Sequence, residues 1–160
     1  MKASIHFVVS VLFIIGFKVY AHQNKKHTES RKPHVTKEKL ESINNLYSQA
    51  IQPIFKNKCL DCHGGPSQFP WYHRLPIAKQ LMDDDVREGK KHLDISSGFP
   101  FKGHGSPLDD LKAIEKVVKE RTMPPMRYWL LHWNCRLTKK ERLAIVTWVQ
   151  QSKKILREGL

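Results

Sequence analysis

The tightest constraint on this chain is five residues long: Cys59-Leu60-Asp61-Cys62-His63. Two of the three cysteines in 160 residues stand here, with an imidazole directly after the second. That is the spacing of a c-type haem attachment site. Each thiol adds across one haem vinyl group, and the two intervening residues let the backbone bring both sulfurs to neighbouring vinyls. The next residue, on the same turn, is then held beneath the iron, where its imidazole becomes the proximal ligand. A chain built on this motif has to wrap helices and loops around a large, flat, apolar group.

Two other chemistries use paired cysteines. Structural zinc wants four ligands, and Cys135, the remaining cysteine, has no histidine partner at a matching spacing. A zinc-binding interaction module therefore survives only as a remote alternative. A thioredoxin-like pair sits beside a strand in a βαβ pattern, and no such pattern is present.

The N-terminus agrees with the haem reading. "MKASIHFVVSVLFIIGFKVYAHQ" has a basic start at Lys2, an apolar run from Ser4 to Phe17 and small residues ending at Ala21. It reads as a signal peptide over residues 1–21, cut after Ala21. The run is short for a membrane span, so an uncleaved anchor is the lesser reading. Haem c is attached after export, so two independent features point to one compartment, the periplasm. Residues 22–35, "HQNKKHTESRKPHV", have almost nothing to bury and read as a flexible basic linker. The domain proper is expected over residues 36–160.

The balance of charge is strongly basic: 28 Lys and Arg against 15 Asp and Glu, +13 overall. Such a surplus favours an anionic partner. Export makes nucleic acid a poor choice and leaves an acidic protein. Between Arg136 and Arg157 stand seven basic residues and one acid, which makes the last helix the expected docking face.

Apolar periodicity is helical throughout. Leu40, Ile43, Leu46, Tyr47 and Ala50 form one stripe over residues 36–50, which Pro53 interrupts, and a short piece at 54–58 leads into the motif. A helix is expected over 77–88, with a weaker pattern. Ser106 caps a clearer one, with Pro107 in its first position and Leu108, Leu111, Ile114 and Val118 as its stripe. The last opens with a Thr138–Glu141 capping box and carries Leu143, Ile145, Val146, Trp148 and Val149. "GGPSQFPWYHRLP", "DISSGFPFKGHGS" and "TMPPMRYW" read as loops. No strand pair is visible.

With His63 on one side of the iron, the other axial position falls to His73, His92, His104, His132, Met123 or Met126. "TMPPM" favours Met123, because a residue before proline is pushed out of helical geometry and Pro124 and Pro125 stiffen the loop. Met126 is its nearest substitute, and His104, between two glycines, is the leading histidine.

The pieces "IQPIFKNKCLDCH", "PWY", "KKHLDIS", "MPPMRYWLLH" and "LTKKERLAIVTWV" together resemble the haem-binding domain family of small bacterial mono-haem proteins. More distantly they resemble class I cytochromes c. The resemblance covers about residues 46–149. It implies an all-α, cytochrome c-like domain with long loops around one covalently attached haem, with Cys59 and Cys62 as its anchors. His63 is then the proximal ligand and Met123 the distal one. The tryptophan often found a few residues after Pro-Trp-Tyr in this family is replaced by Pro76-Ile77-Ala78-Lys79. Trp71, Tyr72, Tyr128 and His132 either hydrogen-bond haem propionates or simply pack around the cofactor. Cys135, where small residues are usual, is expected to be a buried thiol, with pairing of two molecules as its alternative.

The function expected is that of an electron carrier with His/Met ligation and an acidic redox partner, rather than an enzyme. The alternative is a haem-based sensor or peroxidase-like enzyme with a displaceable sixth ligand, for which His104 and Arg121 are the available distal groups.

Overall fold

The computed structural model describes residues 35–158, apart from Ser67, His104, Leu131 and the side chain of Trp133. The segments read as signal peptide and linker lie outside the described residues, save Val35. Among the described residues there are helices and turns and no strand, only an isolated antiparallel bridge between Asp94 and Lys102. No helix among them is long and apolar enough to cross a membrane. The architecture is the all-α one expected.

Helix α1 (Lys37–Leu46) starts at Thr36, whose hydroxyl accepts from Lys39 N. A π turn, Tyr47–Ile51, then joins it to α2 (Gln52–Lys58). Pro53 is the cause: its ring cannot follow an ordinary α-helical turn. The backbone widens instead, and Gln52 N–H bonds to Tyr47 O, five residues back. The extra residue advances the helical phase, so Ile51 is fully buried and Ala50, the residue expected in the stripe, is exposed.

The one-turn helix α3 (Leu60–His63) carries the motif. Helix α4 spans Pro76–His92, four residues beyond the expected end, because it continues through Gly89. A Cβ at Gly89 would lie 2.6 Å from the carbonyl oxygen of Cys62 and 3.0 Å from its carbon. The missing side chain lets α4 press against the backbone of α3. Lys90, Lys91 and His92 then end the helix with charges suited to its C-terminal dipole.

Helix α5 (Pro107–Glu120) and helix α7 (Lys139–Arg157) pack on each other, and α1 crosses α7. Both expected caps are present. Ser106 Oγ accepts from Asp109 N at 3.2 Å, and Thr138 and Glu141 exchange bonds of 2.7 and 3.2 Å. Leu111, Ile114, Val118, Ile145, Trp148 and Val149 are buried as their stripes require. Leu143 is 68% exposed, because the buried face of α7 follows Ile145, Val149, Ser152 and Leu156. Between α5 and α7, part of "TMPPMRYW" forms the short helix α6 (Met126–Trp129).

At the centre lies an aromatic cluster. Tyr47 meets Phe55, Phe101 and Trp148 at ring-centroid distances of 5.7, 5.2 and 5.7 Å. Phe99 and Phe101, with Ile95, come from the 93–103 loop, which supplies core rather than surface. Asn44 holds that loop by accepting from Phe99 N at 2.9 Å. Gly98 makes the approach possible: its φ is 79°, and a Cβ there would meet Asn44 Oδ1 at 3.0 Å.

Two predictions follow from this packing. Alanine at a helix-interior glycine ordinarily stabilises by about 0.5–1 kcal/mol. Gly89→Ala should instead destabilise by about 1–3 kcal/mol in urea unfolding, because the contact it violates is with backbone. A neutral or stabilising result would mean that α3 and α4 are not in close contact.

The second concerns Glu115, which accepts from Lys119 and Lys153, both at 2.6 Å, and so ties α5 to α7. These bonds, Lys119 first, hold its carboxyl down at about 2. A carboxylate with a lowered pKa stabilises the fold above its unfolded value and loses that contribution as pH falls. Glu115→Gln should therefore cost about 1 kcal/mol at neutral pH, kept small by the solvated Lys119. The gap from wild type should close between pH 4.5 and about 2, as measured by urea unfolding across that range.

Candidate haem site

Cys59 ends α2 and opens α3, with its backbone at φ −128°. The turn closes when His63 N–H bonds to Cys59 O at 2.9 Å. Cys59, Cys62 and His63 therefore share one helical turn, as the spacing predicts. Cys59 packs against the core, and burial, with Cys62 beside it, pushes its thiol up to about 12. Burial, then Asp85 and Asp61, raises Cys62 to about 11. Both sulfurs are thus neutral thiols at physiological pH. Exchange-active cysteines need the opposite shift. Among the described residues, no group of three or more His, Cys, Asp or Glu side chains is arranged to hold a metal ion by itself.

His63 is fixed through ring and backbone by the start of the 93–103 loop. Its Nδ1 lies 2.9 Å from Leu93 O, and its own carbonyl accepts from Ile95 N at 2.8 Å. A carbonyl can only accept, so Nδ1 carries the proton and Nε2 presents its lone pair. A metal-ligating histidine takes this form, with its second nitrogen fixed by a backbone acceptor.

Beside the motif is a cleft of about 340 Å³, lined by Cys62, Met82 and Val86, with Tyr72, Tyr128 and His132 among its polar groups. It lies where α3, α4, the Trp71–Arg74 turn and α6 meet. Apolar walls with a few placed polar groups and a neutral thiol suit a planar apolar cofactor tethered at Cys62. Of the two motif cysteines and the histidine, Cys62 alone lines this cleft, and Cys59 and His63 do not; what fits haem is the motif turn itself, with two thiols and a fixed imidazole.

The other expected residues have definite places. Met123 is 47% exposed, on the link between α5 and α6 that follows Arg121, a left-handed helix end with φ 58°. Met126 is 66% exposed at the start of α6. Neither lines the cleft. His132 has both ring nitrogens engaged, Nε2 by the Tyr72 hydroxyl at 2.7 Å and Nδ1 by Tyr128 O at 3.0 Å. His73 bonds through Nε2 to Asp83 at 2.9 Å and stacks on Phe69. His92 ends α4, and His104 lies outside the described residues. Tyr128 donates to Asp61 Oδ2 at 2.9 Å, while Trp71 is 75% exposed. Cys135 is buried, as expected for a structural thiol.

Sequence reasoning missed Leu93, whose carbonyl orients His63, because a backbone acceptor leaves no residue signature. It also missed Gly89, Asp61 and Asp85. A glycine kept within a helical run was the available signal for the first.

Comparison with known proteins agrees with the geometry. The model of the haem-binding domain family matches residues 11–151, a span that starts inside the apolar N-terminal run. The cytochrome c peroxidase Ccp of Escherichia coli (strain K12) is 35% identical over 97 residues, 59% of this chain and 21% of that protein. The chain thus corresponds to about a fifth of the length of that relative. No solved structure matches. The family match extends over most of the sequence: this chain belongs to the haem-binding domain family.

Proposed function

We propose that the protein is an exported mono-haem c-type electron carrier working in the periplasm. Haem is joined to Cys59 and Cys62, with His63 as proximal and Met123 as distal ligand. The observation that carries the reading is the His63–Leu93 bond, which leaves Nε2 free on the turn that bears two neutral thiols. Attachment needs no oxidant: each S–H adds across a vinyl C=C, forming one C–S bond while the hydrogen goes to the neighbouring carbon. Bound haem supplies a one-electron iron couple. The chain's own residues set its environment. Leu93 O makes the His63 ring a better donor. The thioether of Met123 favours Fe(II), and the positive surface favours it as well.

The basic stretch from Arg136 to Arg157 would steer an acidic redox partner into a fast, weak encounter. Lys153 is engaged by Glu115 and Lys154 by Glu158, so Lys139, Lys140 and Arg157 are the steering charges. One observation favours a second reading. The E. coli relative is named a cytochrome c peroxidase, and a peroxidase-like site would need an open sixth position.

Covalent attachment is tested on protein matured in an export-competent host. Haem should survive denaturation and acid-acetone extraction in the wild type and be lost from the Cys59→Ser/Cys62→Ser double variant. Extractable haem in the wild type would sink the c-type assignment.

The sixth ligand is tested by spectroscopy. The ferric wild type should be low-spin with the far-red sulfur-to-iron band. Met123→Ala should lose the band, lower the reduction potential and bind carbon monoxide when reduced, whereas Met126→Ala should change little. A wild type already high-spin and open to carbon monoxide would favour the peroxidase-like reading.

A further inference from the structure

Phe69, Trp71, Leu75, Ile77 and Leu81 are all exposed, on and around the Trp71–Arg74 turn and the first turns of α4. Exposed apolar groups gathered in this way mark a contact surface. Trp71, 75% exposed, is the largest of them.

From Trp71 a string of rings leads to the motif turn. Trp71 meets Tyr72 edge-on with centroids 5.8 Å apart. The Tyr72 hydroxyl lies 2.7 Å from His132 Nε2. His132 Nδ1 faces Tyr128 O, which can only accept, so Nδ1 carries the proton and Nε2 accepts from Tyr72. The His132 ring stacks on Tyr128 with centroids 4.2 Å apart and planes 14° from parallel. Tyr128 donates to Asp61 Oδ2 at 2.9 Å. Asp61 directly precedes Cys62, and Cys62 lines the same cleft as Tyr72, Tyr128 and His132.

Electron tunnelling falls off with distance, and less steeply through bonded or stacked π systems than across open gaps. Haem joined at Cys62 is held by a thioether to that sulfur, so its edge is fixed beside the end of the string. That holds whichever residue supplies the sixth ligand.

We propose that Trp71, Tyr72, His132 and Tyr128 form the path by which electrons pass between the protein surface and haem at Cys62, with Trp71 as the point of exchange. This rests on covalent haem at Cys62. One electron leaves a donor at the surface, a reduced redox protein, and Fe(III) becomes Fe(II). No ring on the path changes its own oxidation state, and no proton moves.

The test uses the full-length holoprotein with a ruthenium polypyridyl complex on a cysteine introduced by Arg74→Cys. Arg74 is exposed, and side chains three residues apart in a 3₁₀ turn eclipse, so the label stands over Trp71. Cys135 is buried and the motif cysteines hold haem, which confines labelling to the new thiol. After a flash the excited complex is oxidised as ferric haem is reduced, and absorbance follows both. The labelled protein should show a fast phase. Trp71→Leu and Tyr72→Leu should each lose it, whereas Trp71→Phe, which keeps a ring, should retain it. The same complex placed by Lys112→Cys, on the exposed face of α5, should give a rate that neither substitution alters. Covalent haem, reduction potential and unfolding midpoint should be unchanged in Trp71→Leu, whose side chain stands in solvent.

A fast phase that survives either leucine substitution overturns the path and leaves covalent haem standing. Equal slowing from position 112 also overturns it, since that would mean a change at the haem itself. Haem extractable from the unsubstituted protein overturns both. Should Tyr72→Leu fail to fold, Trp71→Leu decides alone.

Discussion

The structure depends on how one imidazole is held. His63 sits at the end of a single helical turn, too short to be stable alone. Its orientation comes from Leu93 O on the ring and Ile95 N on the carbonyl. Those residues open a loop that buries Ile95, Phe99 and Phe101 against Tyr47 and Trp148. His63 and the aromatic core are therefore linked through one loop.

The segment after Met123 is built on the opposite plan. Helix α6 buries no residue and is held by single hydrogen bonds and ion pairs. Each is individually weak and open to solvent. Under the ligation proposed above, with His63 proximal and Met123 distal, electron transfer would need the sixth position filled and binding of a small molecule would need it open. Family membership does not choose between these uses.

Much of this was legible in the sequence, and the parts that were not have a common cause. Caps, helical stripes and the haem motif depend on residues close together in the chain, and Ser106, Thr138 and Cys59 to His63 appear as expected. The misses depend on distant contacts. Gly89 looks like a helix end until Cys62 is seen against it. Phe99 and Phe101 lie in a glycine- and proline-rich stretch that reads as surface, and only their packing on Tyr47 and Trp148 makes them core. Asp61 looks like a spacer between two cysteines until Tyr128 arrives from 67 residues away.

The π turn at Tyr47–Ile51 has a consequence for the length of the chain itself. It stores one residue more than an α-helical turn would, and each residue of helix turns the chain by about 100°. Deleting a single residue here would rotate Ile43, upstream, out of register with Phe55, downstream, while Pro53 would still bar a regular helix. The segment therefore tolerates substitution far better than any change of length. Related chains that keep the proline should keep this count of residues, whatever side chains they carry.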